Sequence, residues 1–279
     1  METGQKHLVK TIKISKKDKY KLSIQVSLNG LSFCILNTGN NCITTNYSIA
    51  FNSKVNPTIL LDKLKNELSS NEKLQLDYSS VSVIHNNELA TLVPNELFTK
   101  DHLADYLKFN AAILQTDYIT FDQIDELDAK NVYVPFINVN NYIFEQFGSF
   151  EFYHQHTLLL SYFVPRAFKN IEASVYINIG QDLFEMLSYE NKKLTFINKF
   201  EFHSKEDFIY YIMFSLEQLE LDPEKVAVYI TGLNNENKEL FDIAYKYIRN
   251  VSELEVHLKY ELETSLDQTS IPLSILKSL

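Results

Sequence analysis

Residues 20–27 alternate: Leu22, Ile24 and Val26 fall on one face, and Lys21, Ser23, Gln25 and Ser27 on the other. That two-residue period predicts a strand with one face buried. Asn29-Gly30 follows, a dipeptide suited to a tight hairpin turn, and 31–36 and 42–51 read as the next two strands. The period then changes. Pro57 stands at a helix start, and Leu60, Leu61, Leu64 and Leu68 recur at helical spacing. A short apolar run at 81–85 predicts a buried strand, and Leu103, Leu107 and Leu114 mark a second helix. The order is strand, strand, strand, helix, strand, helix.

The second half repeats that order. Residues 174–178, 183–189 and 194–202 predict a three-strand meander, with Gly180-Gln181 at the first turn. Ser204 and Asp207 form a capping-box pattern ahead of a helix that carries Phe208, Ile209, Ile212, Met213, Leu216 and Leu219 on a wide apolar face. Residues 226–230 (VAVYI) answer 81–85 (VSVIH) as a buried strand. Leu240, Phe241, Ala244, Tyr247 and Ile248 define a last large helix, and Val256 and Leu258 suggest a further strand. The halves also align without gaps at an offset of 151 residues, 23–51 over 174–202, with six of 29 positions identical. Chance at ordinary residue frequencies gives about two. Shared pattern and shared identity together predict a duplicated α/β fold, with one lobe over 1–170 and the other over 171–279.

Between the halves, 131–137 predicts a strand, 142–147 an amphipathic helix and 158–164 an apolar helix. The tail 266–279 carries Ile271, Leu273, Ile275 and Leu276 and is too short to span a bilayer. It is expected to dock on the body of the protein.

Two copies of this element order resemble the actin / sugar-kinase / chaperone ATPase superfold, over roughly residues 20–258. The INIGQDLFEML and VYITGLNN segments and the Asn-, Lys- and Tyr-rich style resemble, more closely, the mostly Bacteroidetes domain-of-unknown-function family 3822. The resemblance implies actin-like, ribonuclease H-like βββαβα halves with an interlobe cleft for ATP and Mg²⁺. It also implies an Asp-x-Gly at the end of the first strand of each half. There the Gly lets backbone N–H groups approach phosphate, and the Asp holds the metal or the attacking water. This chain departs from that pattern. Its first loop reads Ser27-Leu28-Asn29 with Gly30 one place late, and its second reads Asn178-Ile179-Gly180. Ser and Asn form hydrogen bonds but carry no charge to attract a divalent cation. Asp182 stands nearby as a weaker substitute. A Gly-Gly pair is implied after the penultimate strand, where the chain has Thr231-Gly232-Leu233. Candidate cleft positions are therefore Ser27, Asn29, Asn178, Gly180, Thr231 and Gly232, with no catalytic residue and no metal ligand assigned.

Composition narrows the reading. Of 279 residues, 45% are hydrophobic, enough for a sizeable core. A formal charge of −10 argues against a general nucleic-acid grip. The exception is local: Lys6, Lys10, Lys13, Lys16, Lys17, Lys19 and Lys21 crowd the N-terminus, as a solvated first strand and turn or as a contact for an acidic partner. No apolar run reaches membrane-spanning length and no signal-peptide pattern opens the chain, so a cytoplasmic location is expected. Cys34 and Cys42 lie symmetrically about Thr38, a spacing that lets them face each other across a hairpin. As cytoplasmic residues they are expected to be free thiols. His154-Gln-His156 has no matching ligands for a metal, and His85 reads as a hydrogen-bonded strand-end histidine. The acidic pairs Asp125/Glu126 and Glu236/Glu239 read as solvated helix faces. No G-x-S-x-G, Walker loop or dinucleotide fingerprint is present.

The expected function is a non-catalytic, partner-binding actin-like scaffold, a pseudo-ATPase that takes no cofactor and whose partner is another protein. The alternatives are a divergent Mg-ATP-dependent ATPase or small-molecule kinase, and a nucleotide or metabolite sensor.

Overall fold

The computed structural model describes residues 20–109, 111–169, 172–180, 182–234 and 236–279. The lysines from Lys6 to Lys19 lie outside the described residues. The chain forms two compact units, one from the residues up to 123, 129–158 and 259–279, the other from 124–128 and 159–258.

In the first unit, β1 (Tyr20–Ser27), β2 (Gly30–Asn37) and β3 (Cys42–Ala50) form the expected antiparallel meander. Helix α1 (Pro57–Ser70) follows. Asn56 caps it, its Oδ1 accepting from the N–H groups of Thr58 and Ile59. Then β4 (Tyr78–Asn86) lies parallel to β1. An insertion comes next: β5 (Ala90–Pro94), α2 (Leu103–Leu107), β6 (Thr120–Ile124) and β7 (Ala129–Tyr133), whose strands make a separate sheet in the order β5-β7-β6. Helix α3 (Ile137–Phe147) and β8 (Glu151–His154) complete the main sheet, and α4 (Gln155–Ala167) leads onward.

The second unit has β9 (Ser174–Ile179), β10 (Leu183–Glu190), β11 (Lys193–Glu201), α5 (Lys205–Gln218), β12 (Ala227–Thr231), α6 (Lys238–Tyr247) and β13 (Asn250–Glu253). Its sheet order is β11-β10-β9-β12-β13, and the first unit contains the same order as β3-β2-β1-β4-β8. Each half is thus a mixed sheet with the ribonuclease H-like arrangement. Strand β11 falls at β3 plus 151 residues, the offset of the sequence repeat.

The second sheet is packed by the two helices its sequence stripes predict, but the first is packed by α1 and α3: the helix marked by Leu103 and Leu107, expected as the second helix of that half, belongs to the insertion and packs there with Val93 and Val132. Leu60, Leu64 and Leu68 of α1 and Val139 and Ile143 of α3 join Ile24, Phe33 and Val83 in one core. Phe208, Ile212 and Leu216 of α5 and Leu240 and Ala244 of α6 do the same with Ile177, Phe184 and Val228. Each fully buried side chain of this size stabilises the fold by about 1.5–3 kcal/mol. The C-terminal residues 259–279 pack on the first unit, whereas the sequence pattern carries the second lobe to 279. There β14 (Glu261–Leu262) extends the sheet beside β3, and α7 (Leu273–Ser278) follows. Ile271 and Ile275 cover the second face of the sheet with Cys34, Leu36 and Ile84.

Four further expectations differ from the structure. Helix α2 stops at Leu107, and Leu114 is exposed beyond it, its N–H donating to the Asp117 carboxylate. The strand expected at 131–137 is β7, which ends at Tyr133 because α3 starts at Ile137. The strand expected near Val256 lies earlier, as β13, where Val251 pairs with Val228. Cys34 and Cys42 do not face each other. The turn spans 38–41, so Cys42 pairs with Asn37 and Cys34 with Asn46. Both cysteines are free, and burial pushes the Cys34 thiol up to about 12.

Candidate functional site

The candidate residues sit where strands β1, β9 and β12 end, the edge at which open α/β sheets carry their ligands. Each loop is shaped by local chemistry. In the first, Ser27 Oγ accepts from the N–H groups of Asn29 (3.2 Å) and Gly30 (3.0 Å). Asn29 and Leu28 offer their carbonyls to the N–H groups of Phe51 and Val55. Two N–H groups that would have to point outward to cradle a phosphate are therefore bonded to the loop's own serine. Gly30 is required for a different reason: a Cβ there would stand 2.5 Å from the Ile49 carbonyl oxygen of β3.

The second loop is longer. The register partner of Ser27 is Gly30, three residues on, but that of Asn178 is Glu185, seven residues on. Gly180 donates its N–H to Leu183 O at 2.8 Å. The third loop turns at Gly232, whose φ of +83° and close approach to the Ile179 carbonyl both exclude a side chain. Asn234 and Asn237 close it with reciprocal bonds: Asn237 Oδ1 accepts from the Asn234 N–H, and Asn234 Oδ1 accepts from the N–H groups of Glu236 and Asn237.

Within the second unit the registers align a polar row across four strands: Thr231 on β12, Asn178 on β9, Glu185 on β10 and Lys199 on β11. Glu185 is buried, 1% exposed, and Asn178 Nδ2 donates to its Oε2 at 2.9 Å. Burial raises the Glu185 carboxyl above its ordinary range, against a smaller lowering by Lys199 and Asn178. The row brings together Asn178 and Thr231, with Gly180 and Gly232 in the adjoining loops. Ser27 and Asn29 belong to the first unit. Asp182 is exposed, and its carbonyl accepts from the Phe202 N–H.

Glu185 was not singled out from the sequence. Its signal is an acid inside the apolar run LFEMLS, and its place opposite Asn178 depends on a loop length that the pattern does not fix. Asp122, also overlooked, is a second buried carboxylate. It accepts from Tyr133 Oη (3.1 Å), the His154 N–H (2.9 Å) and Thr157 Oγ1 (2.8 Å) at the start of α4. The histidines are structural. His85 Nδ1 accepts from the Phe136 N–H, so Nε2 carries the proton and donates to Asn140 Oδ1. His154 Nδ1 accepts from the His156 N–H, within the turn that opens α4. No group of three or more His, Cys, Asp or Glu able to hold a metal ion occurs among the described residues.

Residues 9–251 match a family model described as "Protein of unknown function (DUF3822)". The chain belongs to this family. A Bacteroides thetaiotaomicron protein described as having an actin-like ATPase fold and unknown function matches this DUF3822 chain with a TM-score of 0.69. The two are 24% identical, and the match covers 87% of this chain and 93% of that one. A chain of the PilM–PilN type IV pilus biogenesis complex matches with a TM-score of 0.57 at 11% identity, over 92% of this chain and 96% of that one. Comparison with curated proteins finds no match. The fold of this DUF3822 member is thus the actin-like ATPase fold, in agreement with the duplicated halves.

ATP and Mg²⁺ are the ligands this fold implies, and the loops fit them poorly. The N–H groups of Asn29, Gly30 and Gly180 already have partners within their own hairpins, and the buried acid of the polar row is engaged by an amide. Position 178 makes the point chemically. With Asp there, two carboxylates would stand at hydrogen-bond distance and would need a shared proton or a cation. Asn178 satisfies Glu185 without either.

Proposed function

We propose that this protein is a non-catalytic actin-like scaffold, a cytoplasmic pseudo-ATPase that works by binding another protein. The observation that carries the reading is the Asn178–Glu185 pair, an amide and an acid that complete each other where the fold would place a metal-anchoring carboxylate. The self-bonded loops support it, because breaking each internal bond to admit a phosphate offsets part of what the new bond gains. Assembly within a type IV pilus biogenesis complex, stated for the PilM–PilN structure, gives partner binding a precedent on this fold.

A melting curve of the full chain with and without millimolar Mg-ATP tests the proposal. A ligand that binds only the folded state raises the melting temperature in proportion to the logarithm of its excess over Kd. No shift is expected. A rise of several degrees that requires Mg²⁺ overturns the proposal and favours a divergent ATPase, kinase or nucleotide sensor in which Glu185 leaves Asn178 to meet the metal.

A further inference from the structure

The outward face of α5 is apolar where a helix packed on a sheet ordinarily carries polar groups. Tyr210 and Phe214, one turn apart, are 61% and 47% exposed, and their rings stack with centroids 6.1 Å apart. With Met213, Leu221 and Pro223 they line an open groove of about 480 Å³, and Glu217 forms its charged wall. Every lining residue belongs to the second unit. The far wall is held by the way α5 ends: the Leu221 N–H returns to the Leu216 carbonyl at 2.9 Å, around Glu220 at a φ of +56°. Glycine is the usual residue at such a helix end, yet this one carries an acid. Glu217, Asp222 and Glu224 are exposed in the same stretch, as is Glu220. From Glu206 to Glu224 the chain has six Asp and Glu residues and no Lys, Arg or His. The lysines that flank this stretch are paired, Lys205 with Glu239 and Lys225 with Asp222.

Charge and backbone together select the occupant. A second copy docked through the same face would set these acids against their own duplicates, and nucleic acid or an anionic lipid surface would meet them with like charge. A partner that bears Lys or Arg is complementary. Helix α5 bonds its main-chain groups within itself and gives an extended peptide no strand edge to pair with. A partner helix satisfies its own backbone and needs only an apolar stripe to follow. From Tyr210 to Glu217 the groove runs along two turns of α5, about 10 Å, the span of anchors at i, i+3 or i+4, and i+7 on a docked helix.

We propose that the α5 groove docks an amphipathic helix of another protein, with aliphatic or aromatic anchors on one face and Lys or Arg beside them. The anchors enter between Tyr210, Phe214 and Leu221, and the cations meet Glu217, Glu220, Asp222 and Glu224. The inference rests on the partner-binding reading but not on the nucleotide loops, so the two fail separately. Melting with Mg-ATP probes the loops, and a peptide titration probes the groove alone.

The probe is a blocked Leu/Lys peptide of about fourteen residues, long enough to form an amphipathic helix, with a single Trp on its apolar face. The chain has no Trp, so indole emission reports the peptide alone. On titration with the full-length chain the emission is expected to shift to the blue and saturate. Affinity should fall about tenfold in the Tyr210→Ser/Phe214→Ser double variant, and by about as much in Glu217→Lys/Glu220→Lys. A peptide of the same composition, scrambled so that no apolar face forms, should also bind about tenfold more weakly, which separates the groove from general attraction to an acidic protein. Absence of saturable binding overturns the proposal, as does equal binding of the scrambled peptide or indifference to the Tyr210/Phe214 variant. Sedimentation of the chain alone checks the other occupant: self-association that the same variant abolishes assigns the groove to a second copy and overturns the proposal too. Should that variant fail to fold, hydroxyl-radical footprinting of the unmodified chain decides. Bound peptide must protect Tyr210, Met213 and Phe214, and unchanged labelling there overturns the proposal equally.

Discussion

Asn178 meets Glu185 with an amide donor, so exchanging that one group for a carboxylate isolates its effect. Asn178→Asp is expected to destabilise the metal-free chain by about 3 kcal/mol at neutral pH, the usual scale for a buried charge left without compensation. Urea melts measure it, and the loss should shrink in acid as the pair takes up a proton; an unchanged midpoint contradicts the pairing. The Glu185 carboxyl has its own signature. Burial raises it above the ordinary 4.5, so above that pH the folded chain holds a proton that the unfolded chain has released. Stability therefore falls as pH rises from the unfolded to the folded value. Glu185→Gln should remove that decline in a series of melts against pH, and an identical slope in both proteins argues against a raised pKa. Asp207, Asp222 and Asp267 are held below 3.8 by hydrogen-bond donors, and they act in a lower range. At Gly232, a φ of +83° and the adjacent Ile179 carbonyl act together. Gly232→Ala should cost about 2–4 kcal/mol from backbone strain and overpacking, measurable by the same melts.

At the scale of elements, the meanders and the helices α1, α5 and α6 are legible in the sequence because their period is strong and their apolar side chains enter one core. Hairpin loop length is not. Leu28-Asn29 closes β1 and β2 in two residues, but the second hairpin crosses only after Gly180, and that difference places Glu185 beside Asn178. An aligned repeat without gaps hides this shift. The short strands β5 and β6 also escape a reading by period, since five residues give little alternation to recognise. Nor does local pattern show that α4 begins on a carboxylate from a distant strand. Asp122 holds the His154 N–H, the Thr157 hydroxyl and the Tyr133 hydroxyl together. Asp122→Ala leaves three buried donors without that acceptor and should cost about 3 kcal/mol or more. Chemical denaturation measures the loss, and a cost below about 1 kcal/mol would mean that water replaces the carboxylate.

For the molecule as a whole, duplication explains both what is shared and what differs. The two halves keep one strand order and one helix placement, while their loops close by unlike means: a serine in the first, and a Gly180–Leu183 backbone bond with an Asn–Glu pair in the second. Shared architecture follows from apolar period, which the sequence displays directly. Loop closure follows from register and single hydrogen bonds, which appear only once the strands are paired. The central claim is that these loops satisfy themselves, and amide hydrogen exchange at Asn29, Gly30 and Gly180 measures it most directly. The account predicts slow exchange at all three without ligand, unchanged by millimolar Mg-ATP. Fast exchange in the free protein that becomes protected when Mg-ATP is added would contradict it.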